Sequence, residues 1–146
     1  MEYLAQGLDV KIVFLDHLSI LLSGLDGDER RVIDQTMTRL RSLVERTGIT
    51  MFLVSHLRRP SGDQNHEEGA RVTLGSLRGS HSIAQLSDAV IALERNQQTN
   101  SNTTVRVLKN RYTGEVGPCC ELVYDLDTCR FSEHEPEEEF DPTTDF

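Results

Sequence analysis

The sequence predicts an α/β fold with a mostly parallel sheet and a C-terminal antiparallel hairpin. Two short apolar runs rich in β-branched and aromatic residues flank one long amphipathic helix. Further along, two alternating runs enclose a glycine-containing turn. The first pattern is that of a βαβ unit, whose crossover is right-handed and whose strands are parallel; the second is that of a hairpin.

Lys11 to Asp16 (KIVFLD) is almost continuously apolar and suits a strand buried on both faces. After the loop Ser23 to Gly27, Asp28 stands where a helix N-cap belongs. Val32, Ile33, Met37, Leu40, Leu43 and Val44 follow the helical period, and Gly48 occupies the C-cap position. Thr50 to Ser55 (TMFLVS) is the second buried-type strand. Leu57 to Ser76 is polar, rich in Gly and Arg and aperiodic, a length more often functional than connective. Asp88 to Glu94 (DAVIALE) predicts a third strand. Thr103 to Arg111 and Cys119 to Asp125 predict the hairpin arms around Tyr112 to Gly117.

The chain has 146 residues and a 37% hydrophobic content, one domain's worth with material for a packed core. Its net charge of -9 is concentrated at one end. Residues 132–146 carry seven acids and no Lys or Arg, so 24 acids less seven leaves 17 against 15 bases in residues 1–131. The body is near neutral, and the low overall charge does not argue against nucleic-acid binding through a local basic loop. Three cysteines, two of them adjacent, do not make a paired disulfide framework and point to a reducing compartment. No secretion leader opens the chain, and no apolar stretch approaches a membrane span of about 18 residues. The expectation is a soluble cytoplasmic protein without a membrane partner.

In open α/β sheets, ligands sit beyond the carboxyl ends of the strands, which singles out Asp16 and His56. An acid ending an apolar strand can hold Mg²⁺ on nucleotide phosphates. Asp is also a common turn former, and His56 is equally a solvated strand end. His66 and His81 lack a second His or a Cys at metal-ligand spacing.

Taken in order, VFLDHLSIL, FLVSHLRRP, LRGSHSIAQLSDAVIALERNQQ, VRVLKNRYTGEVG and a closing acidic TTDF resemble the helicase half of the bacteriophage T7-type replicative primase-helicases, RecA-like ring motors related to Twinkle and to bacterial replicative helicases. The resemblance covers nearly the whole chain. It implies a RecA-like sheet and an ATP- or dTTP-driven motor that translocates on single-stranded DNA as a ring, expected to be a hexamer, in the host-cell cytoplasm. By resemblance, Asp16 is the Walker B acid holding Mg²⁺ and His56 senses the terminal phosphate. Gln85 couples the nucleotide site to the DNA loops, and Arg111 is an arginine finger reaching the neighbouring subunit's nucleotide. Arg95 and Tyr124 sandwich the base, and Arg58, Arg78 and Gly79 lie on the DNA-facing loops. These residue types suit those tasks: a forked cation for developing phosphate charge, a cation and an aromatic face for a base, and loop charge for sequence-independent grip. Taken singly, Arg111 is better explained as a solubilising strand end and Gln85 as surface, while Tyr124 is equally core or surface packing. The loop at Arg58 departs from the lysine-rich family pattern, continuing Arg59, Pro60 and then SGDQN.

Residues 132–146 are expected to form a disordered acidic tail, in isolation a solubilising extension. The family tail ends in an aromatic that docks the replicative DNA polymerase, a role that falls here to Phe146. Nowhere does GxxxxGK[ST] occur, and the upstream strand bearing the family's catalytic glutamate has no counterpart. The domain is therefore expected to be incomplete for want of its phosphate-loop strand, which by resemblance sits between Thr50 to Ser55 and Asp88 to Glu94 so that its loss leaves a gap with unpaired edges, inactive alone, and dependent on an upstream helicase half carrying that loop. The alternative is a non-hydrolysing binding module that docks the polymerase or joins a ring through its tail and subunit face. A RecA-like recombinase is disfavoured by the TTDF tail and the LRGSH loop.

Overall fold

The computed structural model describes residues 2–23, 28–58, 65–66, 68–78, 81–98 and 102–134. Helix α1 (Glu2–Gly7) leads into strand β1 (Ile12–Leu15), short helix α2 (Leu18–Leu22), long helix α3 (Glu29–Thr47) and strand β2 (Thr50–Leu53). α3 begins where its cap predicts: the Asp28 carboxylate accepts the Arg30 amide at 2.9 Å. It ends at Gly48, whose φ of 68° is the left-handed conformation that glycine adopts without a Cβ clash. β1 and β2 pair in parallel, Ile12 with Thr50 through Leu15 with Leu53, as the βαβ reading requires.

The chain then crosses a 3-10 turn (Leu74–Ser76) and helix α4 (His81–Leu86) to reach strands β3 (Ala89–Arg95), β4 (Thr103–Asn110), β5 (Gly117–Asp125) and β6 (Arg130–Glu133), an antiparallel sheet in that order. The β4–β5 turn carries Gly114 at φ 76°, so the expected hairpin forms around a glycine whose backbone needs it. β6 was not anticipated. It extends the sheet through Ser132 and Glu133, the first residues of the expected tail, and pairs Tyr124 with Phe131; the rest of the tail from 135, Phe146 included, lies outside the described residues.

The expectation of one mostly parallel sheet needs correction. Among the described residues parallel pairing is confined to β1 and β2, while β3 to β6 form a separate antiparallel sheet. The physical reason is that β2 and β3 share no ladder: each has one strand neighbour, leaving one edge of each without a backbone partner in the sheets.

The core cluster forms among the helices, against the inner face of the parallel pair. Leu18, Ile33, Met37 and Ile83 are buried together, with Leu22, Leu40, Leu53, Leu77 and Leu86 packed around them, so α2, α3, α4 and the inner side of β2 share one cluster. Strand alternation puts Ile12 and Phe14 of β1 on the opposite side, beside Phe52 and Val54. Phe14 and Phe52 stack at 4.8 Å, yet Phe14 is 75% exposed. Ile91 and Leu93 on β3 are likewise bare, Leu93 at 63%. Singly exposed hydrophobics are ordinary; here they stand in rows beside open strand edges.

Candidate functional site at the strand ends

Two hydrogen bonds shape the carboxyl end of the parallel pair. Val54 donates its amide to the Leu15 carbonyl at 2.9 Å, and its own carbonyl accepts the Leu18 amide at 3.0 Å. Asp16 and His17 therefore arch out between two anchored residues. Asp16 is exposed, and no group of three or more His, Cys, Asp or Glu able to hold a metal occurs among the described residues. A lone accessible carboxylate at a strand end fits Mg²⁺, which is held by one or two carboxylates with phosphates and water supplying the remaining oxygens. It does not fit a structural metal site built from protein ligands.

His56 lies beyond β2 and its ring meets that of His17, centroids 4.1 Å apart and tilted by 59°. His17 was not singled out in the sequence; its Nδ1 is buried without a hydrogen-bond partner. The backbone then ties His56 to the basic loops. Arg78 donates its amide to the His56 carbonyl at 3.0 Å, Arg58 donates to the Ser76 carbonyl at 2.9 Å, and Leu57 bridges Leu77 in antiparallel fashion. Arg58 and Arg78 thus sit on neighbouring stretches next to His56, both exposed. The Arg78 guanidinium approaches Glu29, at the start of α3, at 3.5 Å. Gly79 and residues 59–64 of the first loop lie outside the described residues.

A second group forms where α4 meets β3 and β4. Arg111, just past β4, donates its backbone amide to the Asp88 carbonyl at 2.8 Å. Its guanidinium donates to Asp88 Oδ1 at 2.9 Å and to the Gln85 carbonyl at 3.2 Å. Gln85 is exposed and lies in the last turn of α4. Arg41 of α3 donates to Asp88 Oδ2 at 2.7 Å and to Glu45, and those two bonds, Glu45's first, raise its guanidinium pKa further above the ordinary value. Lys109 caps α4 by donating to the carbonyls of Ala84, Gln85 and Ser87 at 2.7, 3.1 and 2.8 Å. Asp88, Lys109 and Arg41 were all missed: in sequence, Asp88 only opens a strand and Lys109 only alternates within one.

Arg95 and Tyr124 belong to the far end of the antiparallel sheet. Arg95 pairs with Thr103 and Thr103 with Leu122, so Tyr124, two residues beyond Leu122, points to the same face as Arg95. The Tyr124 ring tilts against Phe131 at 4.9 Å. Its hydroxyl bonds Cys129, and that bond, with a smaller effect of burial, raises the phenol above its usual pKa. At about 3.3 Å per residue, β3 separates this pair from the Asp88–Arg111 group by roughly 20 Å.

The model of the DnaB-like helicase C terminal domain matches residues 2–133. The DNA helicase/primase of Enterobacteria phage T3 is 40% identical over 131 residues, which make up 88% of this chain and 23% of that protein. The chain thus spans about a quarter of the length of that relative. With the family model matched from the first helix to the last strand, the chain belongs to the DnaB-like helicase C-terminal domain family.

Proposed function

We propose that this chain is the metal-binding and finger-bearing part of a replicative DNA helicase that hydrolyses ATP or dTTP, moves on single-stranded DNA as a ring, and needs a phosphate-loop-bearing half to work. The observation that carries the proposal is the break in the sheet: β2 and β3 each keep an open edge, and bare apolar rows, Ile12, Phe14, Phe52 and Val54 on one sheet and Ile91 and Leu93 on the other, lie beside those edges. A strand from the missing half, inserted between β2 and β3, would satisfy both edges and cover the rows.

In this reading Asp16 holds Mg²⁺, which would neutralise charge on the phosphates. His56, braced by His17, faces the terminal phosphate from the neighbouring strand end. Because Arg58 and Arg78 are hydrogen-bonded into the segment carrying His56, a change at the phosphate reaches the DNA grip through backbone rather than through mobile side chains. Arg111 projects from the opposite end of β4, suited to a nucleotide held by the adjacent subunit, while Arg95 and Tyr124 offer a cation and an aromatic face to a base. Phe146 would dock the replicative DNA polymerase. No helix among the described residues is long and apolar enough to cross a membrane, in keeping with a soluble machine in the host cytoplasm.

The test is hydrolysis. The chain alone should not turn over ATP or dTTP; joined to a half carrying the phosphate loop it should do so with Mg²⁺, and Asp16→Asn should abolish that turnover. A joined domain whose Mg²⁺-dependent hydrolysis survives Asp16→Asn would overturn the assignment. If no joined form hydrolyses nucleotide while the chain still binds the polymerase, the binding-module reading takes its place.

A further inference from the structure

The Asp88 carboxylate joins three parts of the chain: α3, the end of α4 and the end of β4. Its Oδ1 accepts from Arg111 at 2.9 Å and its Oδ2 from Arg41 at 2.7 Å, while its backbone carbonyl accepts the Arg111 amide. A carboxylate held on both oxygens by two forked cations is restricted in its rotamers, and so are the guanidiniums that hold it. The end of α4 is fixed in the same way. Lys109 occupies two of its last carbonyls, Ala84 and Gln85, and that of Ser87 just beyond it, and Arg111 takes the Gln85 carbonyl as well. The segment ahead of α4 is bonded to His56 through Arg78. One short helix therefore has the basic loop at its front and the Arg111 guanidinium bolted to its back.

We propose that Asp88 is the positioning residue for Arg111: its carboxylate seats the guanidinium on the end of α4, so that the DNA-facing loop and the finger move as one unit. The proposal rests on the reading of Arg111 as a finger. A guanidinium whose pose is set by a carboxylate and a carbonyl enters the neighbouring site already oriented, and its orientation follows any rotation of α4. Without Asp88, Arg111 keeps its charge and loses its direction.

The experiment uses the complete helicase domain, joined to its phosphate-loop half, and measures DNA-stimulated dTTP or ATP hydrolysis. Asp88→Asn keeps the shape but cannot accept from both cations at full charge. It should lower kcat by roughly ten- to a hundredfold, the scale of a misplaced catalytic group, with KM unchanged, and Asp88→Glu should recover part of the loss. In an Arg111→Ala background the Asp88→Asn change should cost nothing further, because the residue it positions is gone. An equal loss in both backgrounds, a rise in KM without a fall in kcat, or no effect would each overturn the proposal. Should Asp88→Asn not fold, Arg41→Gln frees one side of the carboxylate; it should give a smaller loss confined to kcat, and an unchanged kcat would overturn the proposal. If Arg111→Ala itself leaves hydrolysis intact, the finger reading fails, a result distinct from a failure of Asp88 alone.

Discussion

Replacing Phe14 with Ser tests whether the bare face of β1 and β2 is an interface. Phe14 is 75% exposed and stacked only on Phe52. An aromatic side chain buries about 150–250 Å² when covered, so roughly 150 Å² remains for a partner to bury. At about 25 cal/mol per Å², that is about 3–4 kcal/mol of association free energy, or a fall in affinity of at least roughly a hundredfold. The same substitution removes little from the fold of the chain by itself, since most of the ring already faces water. Titrating labelled chain with the phosphate-loop half should show the loss of affinity, and thermal denaturation of the variant alone should give a midpoint near that of the parent. Unchanged affinity would refute the claim that this face is covered in the working protein.

Arg106→Met should destabilise the chain by about 2–3 kcal/mol in a denaturant titration: the side chains of Glu94 and Arg106 are only 13% and 16% exposed, and the change strands a carboxylate that also accepts the Val72 amide. Asp125 has its pKa lowered by amide bonds from Thr128 and Asp127, so its contribution is present above the ordinary carboxylate value and is lost as pH falls from there through the lowered native value; Asp125→Asn should therefore flatten the acid limb of the stability–pH curve, and an identical limb would contradict this. Arg58→Ala and Arg78→Ala should each weaken single-stranded DNA binding by the assembled ring regardless of sequence and reduce the slope of log affinity against log salt by about 0.7; an effect on one sequence alone would argue for base readout instead.

The elements that local rules specify were legible before the structure. The α3 caps at Asp28 and Gly48, the parallel pairing around α3 and the glycine-turned hairpin follow from residues that act on their own neighbours. The strand-end positions of Asp16 and His56 were legible for the same reason, since a carboxyl end is fixed once the strand is. Long-range pairings were not. β6 is four exposed residues, Arg130–Glu133, with a burial pattern that carries no alternation to read. Arg41 meets Asp88 across 47 positions of sequence and Lys109 meets the Ala84 carbonyl across 25, coincidences of register that no spacing rule encodes. The division of the sheet was invisible in composition, because β2 and β3 are as apolar as strands with two neighbours; only the family resemblance, which puts the phosphate-loop strand between them, led to the expectation of a gap there.

Amide hydrogen exchange along the open edges of β2 and β3 tests the central claim most directly. On adding the phosphate-loop half, amides in both Thr50–Leu53 and Ala89–Arg95 should gain protection together, as expected of one new strand pairing with each of them. Protection that rises in only one of the two strands, or in neither, would contradict the account.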